Sequence, residues 1–305
     1  AIRRGPLAPP ESGTEVFGVV KSDGTSDPAF NAGFPVDAAL LKATTASNGS
    51  MRSRLTGTGY LETNSTGAEG NSGLTEWDYQ DSWFSSNLSS SYYSWMWKRA
   101  PGFFDVVAYT GDDVVPRSVP HNLGVAPEMM WVKSRSDATS WQVYHKDITA
   151  SNRLFLDQTS ALAFASVWNQ TSPTDSVFYL GSSWNGVNAS GSNYIAYLFA
   201  TLAGVSKVGS YTGDGTSNRV IDCGFTSGAR FVLIKRTDSA AGWYVYDTAR
   251  GIVSGNDSLL MLNSTNAEYT GDDPIDPNGS GFAINQTGAS EINLSGAEYI
   301  FYAIA

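Results

Sequence analysis

An all-β chain built from three diverged copies of one unit is what the sequence predicts, and three observations predict it. The composition is polar but weakly charged: charged residues make up only 16% of the 305, against a usual ~25%, while aromatic residues reach 12% and glycine supplies 31 positions. The apolar stretches are short and bounded by turn residues, and the Leu-, Glu-, Lys- and Arg-rich runs of helical bundles are missing. The chain also repeats itself. With 41% apolar residues and a mass of 32.6 kDa there is material for packed cores in two or three domains, which excludes wholesale disorder.

The repeat is clearest in the second and third copies. Tyr109-Thr110-Gly111-Asp112 matches Tyr211-Thr212-Gly213-Asp214, and Val132-Lys133 matches Ile234-Lys235 at the same offset of 102. Trp141-Gln142-Val143-Tyr144 then pairs with Trp243-Tyr244-Val245-Tyr246, and Leu154-Phe155-Leu156-Asp157 with Leu260-Met261-Leu262-Asn263. Both copies close on Asn-x-Ser-Gly (Asn188, Asn293) before Tyr194-Ile195-Ala196-Tyr197 and Tyr299-Ile300-Phe301-Tyr302. A weaker copy lies in front, with Asp23-Gly24-Thr25-Ser26, Leu40-Leu41-Lys42, Leu61-Glu62-Thr63-Asn64 and Asn87-Leu88-Ser89-Ser90 before Tyr93-Ser94-Trp95-Met96-Trp97. It lacks the Trp-x-Val-Tyr station.

In chain order, residues 1–15 hold a proline-rich arm whose fixed φ angles favour an extended path. The arm reads equally as a strap onto a neighbouring subunit or as a frayed end. The copies follow at 16–103, 104–203 and 204–305. Within each, apolar runs such as Met129–Lys133 and Phe231–Lys235 predict buried strands, and the alternation across Trp243–Thr248 predicts a strand with two different faces. Asp-Gly and Asn-Gly steps (Asp23, Asn185, Asp214, Asn278) mark tight turns. The stretch 159–168 reads as a short helix. Several short strands per ~100 residues predict tandem β-sandwich or jelly-roll-like units.

Charge and rare residues narrow the function. A net charge of −10 repels phosphate backbones, so nucleic acid is excluded as a partner. Cys223 is alone, leaving no intrachain disulfide, and His121 and His145 are the only histidines. No apolar run approaches the ~18–20 residues of a membrane span, so membrane insertion is not expected. The sequence begins at Ala1, which reads as a processed or trimmed product.

The run Tyr109–Asp112, Val119-Pro120-His121-Asn122-Leu123-Gly124-Val125-Ala126-Pro127-Glu128, Met129–Ser136 and Trp141–His145 resembles a module common in tail-fibre and other virion-surface proteins of tailed phages, especially marine and cyanobacterial ones. Val205–Gly213, Lys235–Asp238 and Tyr246–Arg250 resemble its partner half, so the likeness covers 104–305. The resemblance implies a structural or receptor-contacting appendage and carries over no catalytic residue.

The residues themselves offer several chemistries. His121 with Asp112 or Asp113 and a serine evokes a hydrolase, but no Gly-x-Ser-x-Gly elbow is present, and the counterpart of His121 in the last copy falls at Cys223. His145 aligns with Asp247 and reads as a polar residue at a loop end. Asp112-Asp113, Asp272-Asp273 with Asp276, and Asp78 with Asp81 supply the carboxylate pairs a glycosidase needs, although such residues also cap turns. Asp272, Asp273 and Asp276 are the candidate Ca²⁺ ligands; no other cofactor is expected. The aromatic residues Trp184, Tyr92, Trp95, Trp97 and Trp141 are candidate binding residues, since Tyr and Trp offer an apolar face with a polar handle. Trp184 leads them because it lies in a turn-like setting. The Asn-x-Ser/Thr sequons read as repeated turns.

Together these features predict a non-enzymatic appendage of a phage virion, a tail fibre or capsid decoration on the virion surface or otherwise extracellular. It would bind a host-surface glycan, other virion proteins or copies of itself, most simply as a homotrimer. The alternatives are a host-polysaccharide depolymerase and a subunit of a cellular extracellular filament.

Overall fold

The apolar runs pair as antiparallel strands, numbered here in chain order, in a computed structural model that describes residues 8–25, 27–86, 88–181, 184, 186–285 and 291–305. The first large sheet has the order β1 (Phe17–Lys21), β9 (Tyr92–Trp97), β3 (Ala38–Ala43), β4 (Ser50–Ser53), β5 (Gly59–Glu62), β6 (Gly70–Asn71). The second runs β10 (Phe104–Thr110), β17 (Asn193–Phe199), β12 (Met129–Ser134), β13 (Gln142–His145), β14 (Asn152–Phe155), β15 (Ala163–Phe164). The third runs β18 (Ser206–Thr212), β25 (Glu298–Ile304), β20 (Phe231–Arg236), β21 (Trp243–Asp247), β22 (Leu260–Met261). A small sheet accompanies each: β2 (Phe30–Asn31), β8 (Ser82–Ser85) and β7 (Thr75–Glu76); β11 (Arg117–Pro120) and β16 (Val177–Leu180); β19 (Arg219–Asp222), β24 (Gly281–Ile284) and β23 (Ile275–Asn278). The chain is all-β; 159–168, expected as a helix, instead carries the edge strand β15.

Strand register aligns the units residue by residue. Ala38 faces Trp97, Met129 faces Phe199 and Phe231 faces Ile304 at equivalent points. The pleat sends alternate residues to opposite faces, and both faces are buried. Outer-face residues such as Ala39 and Met96, Met130 and Leu198, or Val232 and Ala303 pack in cores private to each unit. The inner faces of all three large sheets share a single core. At one end of it the Trp97 ring lies 5.2 Å from Phe17, 6.2 Å from Phe104, 6.3 Å from Phe199 and 6.0 Å from Phe231, so rings from all three units meet. Each unit is thus sandwich-like, pairing a large sheet with a small one, and each large sheet also supplies one wall of a common interior.

That arrangement corrects three of the expected binding residues. Trp95, Trp97 and Trp141 are fully buried in the shared core and offer no surface to a ligand. An aromatic residue is worth ~150–250 Å² of burial, and these three spend it in the shared core.

The seams between units follow one rule, applied three times. Lys133, Lys235 and Lys42 lie at equivalent inner positions, fully buried, and each reaches into a loop of another unit. Lys133 Nζ donates to Thr66 O (3.3 Å), Lys235 Nζ to Thr159 O (3.1 Å) and Lys42 Nζ to Ser264 O (2.8 Å). Burial pushes all three ammonium groups down to about 8. Backbone bonds repeat the pattern: Glu69 N to Arg135 O, Leu162 N to Thr237 O, and Glu268 N to Thr44 O. Two seams are further closed by indoles, Trp141 Nε1 donating to Glu62 O and Trp243 Nε1 to Phe155 O, both at 2.8 Å. In the first copy Gly49 stands where the Trp would be, and Thr63 Oγ1 closes the seam by donating to Leu262 O at 2.7 Å. The last unit thus grips the first, and the three walls form a ring.

The repeated Tyr-Thr-Gly-Asp and Asn-x-Ser-Gly stations form one clasp. Asn188 and Asn293 are fully buried; their Oδ1 atoms accept from Asp112 N and Asp214 N, and their Nδ2 groups donate to Val114 O and Thr216 O. Tyr109 stacks on Tyr194 and Tyr211 on Tyr299, with Arg117 and Arg219 each 5.3 Å over the first ring of its pair. The glycine is obligatory for space, because a Cβ at Gly111 would lie 2.0 Å from Ala189 O, and one at Gly213 2.1 Å from Leu294 O. The proline-rich arm is described from residue 8; there Pro10 is buried and Gly13 abuts the carbonyl of Ala305 in the same chain.

Candidate functional site

The outer face of each large sheet presents one equivalent position beside its hairpin: Arg52 on β4, Tyr144 on β13 and Tyr246 on β21. In the first unit Arg52 is covered, its guanidinium 6.0 Å from the Trp83 ring and donating to Thr75 Oγ1 (3.1 Å) and Ser85 Oγ (3.0 Å). In the second, Trp168 packs edge-on to Tyr144 with centroids 6.0 Å apart. Over Tyr246 no ring packs among the described residues, and a cleft of about 510 Å³ opens there. Small-molecule sites commonly fall in the range of ~300–1,000 Å³.

Three segments build the cleft. The floor is β21, which presents Tyr244 and Tyr246; one wall is the loop that grips the first unit, carrying Asn266, Glu268, Tyr269 and Asp272; the other wall includes Glu291. Leu259 and Met261 add apolar surface. Tyr246 is 1% exposed, and its hydroxyl has no hydrogen-bond partner among the described residues. The Tyr246 side chain thus forms the base of the cleft, where its phenol can meet a ligand.

The carboxylates are not equivalent. Asp257 is buried and accepts from Val253 N and Ile275 N, both at 3.1 Å. Burial, with Asp273 and Asp276 adding repulsion, pushes it up to about 6. Glu268 is tied to Arg250 at 3.2 Å, whose guanidinium also binds Asp247 at 2.7 Å. Asp272 and Glu291 have no ion-pair partner among the described residues, and Asp272 holds the exposed Tyr269 phenol above its ordinary value.

Of the residues expected from sequence, Trp184 is exposed, at 42%, with the Arg153 guanidinium 5.3 Å from its ring and 4.7 Å from that of Phe155. Phe164 on the neighbouring edge strand is 74% exposed, opposite Asn152 in the register. Tyr92 is half-buried at the start of β9. Asp272, Asp273 and Asp276 share the third unit, but among the described residues no group of three or more His, Cys, Asp or Glu gathers to hold a metal ion. Asp273 Oδ2 accepts from Asn285 Nδ2 at 2.8 Å, while the Oδ1 atoms of Asp273 and Asp276 are buried without a partner among the described residues. The turn at Asn185 and the sequon residue Asn87 lie outside the described residues.

Both histidines are buried. His121 lies 3.2 Å from Thr174 O and accepts from Leu123 N, and among the described residues no Asp–His–Ser array forms around it. His145 caps a single 3₁₀ turn by accepting from Asp147 N; burial pushes its imidazole down to about 3, which keeps it neutral. Among the described residues no helix is long and apolar enough to cross a membrane. The cleft itself was not anticipated: Tyr244 and Tyr246 were legible as strand residues, but nothing in the sequence joins them to Tyr269, Asp272 and Glu291.

A family model described as "Domain of unknown function (DUF7483)" matches residues 36–305. No curated protein and no solved structure matches the chain.

Proposed function

The chain belongs to the DUF7483 family, and from that premise we propose that it is a non-catalytic binding appendage, carried on the surface of a phage virion as part of a tail fibre or as a capsid decoration, that contacts glycan on the host envelope. The observation that carries the binding role is the cleft in the third unit: tyrosine faces and carboxylate acceptors set on a rigid β scaffold, with the Tyr246 hydroxyl unpaired at its base. Sugars are recognised by such a combination, their C–H faces against aromatic rings and their hydroxyls on polar acceptors. The phage assignment rests on the resemblance of residues 104–305, and the extracellular setting on the low charge and high Ser, Thr and Gly content. The aromatic face around Trp184 is a second contact surface, for other virion proteins or for copies of this chain in a homotrimer.

The test incubates the purified chain with host-envelope glycan. Retention of the glycan with unchanged length, lost in a Tyr246→Phe/Tyr269→Ala variant, is the expected result; no retention at all sinks the reading. Light scattering reports the assembly, with a trimer near 98 kDa, three times 32.6 kDa. A depolymerase is the second reading, favoured by one observation: Asp257 at about 6, beside further carboxylates, has the raised value of a glycosidase acid. Shortened glycan chains would establish it.

A further inference from the structure

We propose that the cleft of the third unit takes a positively charged sugar, a hexosamine unit whose amine is free and protonated. The proposal rests on the glycan-binding reading above and adds the charge of the ligand. Among the described residues no Lys or Arg lines the cleft, while carboxylates do. Two of those are already committed, Asp257 to backbone N–H groups and Glu268 to Arg250. Asp272, which the Tyr269 phenol hydrogen-bonds, and Glu291 have no ion-pair partner among the described residues, on a chain of net charge −10. A neutral sugar would leave two carboxylates partly desolvated with no compensating charge; an ammonium between them removes that cost. The Tyr244 face suits the apolar side of a pyranose, and the buried Tyr246 hydroxyl can donate to a ring hydroxyl.

The same position in the other two units supports the assignment. There a ring of the chain packs on the equivalent residue, Trp83 on Arg52 in the first unit and Trp168 on Tyr144 in the second. Tyr144 of the second unit also borders a cleft, of about 370 Å³, but Lys146 lines it, so a cationic sugar is expected at the third unit alone, one per chain.

Calorimetric titration of the full chain with a tetramer of glucosamine and with a tetramer of N-acetylglucosamine at pH 6 tests this. The free-amine tetramer is expected to bind about tenfold more tightly, with one site per chain, and the preference is expected to collapse in Asp272→Asn/Glu291→Gln, whose melting temperature stays at that of the parent. Tyr246→Phe is expected to weaken both ligands about threefold. Equal affinity for the two tetramers overturns the charge inference and leaves the glycan reading standing. Retention of envelope glycan that is insensitive to Asp272→Asn/Glu291→Gln, with neither tetramer bound, also overturns it while sparing that reading. A trilysine peptide that displaces the tetramer at equal concentration overturns the commitment to a sugar. Failure of tetramers and envelope glycan alike removes both.

Discussion

If three units share one core, damage at any seam must destabilise the whole chain. Trp243→Phe is the sharpest probe. The indole Nε1 donates to Phe155 O across a seam at 2.8 Å, and the side chain is 1% exposed. Phenylalanine cannot donate, so a carbonyl at the seam loses its partner at a cost of ~1–3 kcal/mol. It is also smaller, and part of the ~3–5 kcal/mol typical of full truncation of a buried Trp is lost as well. Together the expected loss is about 3 kcal/mol. Unfolding entropies near 2.1 cal/mol/K per residue give roughly 0.6 kcal/mol/K for a chain of this size, so the melting temperature should fall by about 5 °C. Trp141→Phe breaks the matching bond to Glu62 O in a different seam and should cost the same. The double variant should lose about 6 kcal/mol, because the bonds lie in separate seams and share no partner. The assay is urea unfolding followed in parallel by far-ultraviolet circular dichroism and tryptophan fluorescence. One coincident transition, shifted by each variant, is expected. Two transitions, or a variant that moves only one probe, would refute the shared core.

Further outcomes follow from single positions. Gly111→Ala and Gly213→Ala place a Cβ about 2 Å from a carbonyl oxygen and should each cost ~2–4 kcal/mol, whereas Gly279→Ala, with nothing within 4 Å, should change stability by less than ~0.5 kcal/mol. His145 is held down to about 3 in the folded chain. Below the ordinary value near 6.5 the unfolded chain binds the extra proton and the native one does not, so stability falls as pH drops, by on the order of 2 kcal/mol between pH 6.5 and 5. His145→Gln should flatten that slope, in part exposing the opposite trend of Asp257, whose value of about 6 favours the native state as pH falls through 6 to 4. Expression in a glycosylating host should leave Asn188 and Asn293 unmodified by peptide mass spectrometry, because both amides are buried in the clasp.

Much of the wall structure was legible. The repeated Lys of β12 and β20, the Tyr-Thr-Gly-Asp turn and the closing tyrosine-rich strands recur at a fixed offset, and each proved to do the same job in each unit. What each Lys touches was not legible, since Thr66, Thr159 and Ser264 belong to other units and a period-two pattern says nothing about distant loops. Trp95, Trp97 and Trp141 were misplaced for a related reason. Alternation separates two faces of a strand, but here both faces are buried, so an inward aromatic and an outward one look alike in sequence. The cleft was hidden more deeply. It lies where, among the described residues, no ring does for Tyr246 what Trp168 does for Tyr144, and a space is defined by side chains that fail to arrive.

Ring closure also dictates when the fold can form. Lys42 finds Ser264 across 222 residues, Thr63 finds Leu262 across 199, and the Trp95 indole finds Asp247 across 152. Such remote pairings make folding slow, because the entropy of closing the intervening loop is lost before the contact is gained. At a synthesis rate of ~5–20 residues per second, the first wall leaves the ribosome ~10–40 s before the segment that seals it. During that interval its inner face, with Trp95 and Trp97 at its centre, has no partner from the last wall. The yield of folded chain is therefore expected to depend on how well that first wall is shielded until the last is made.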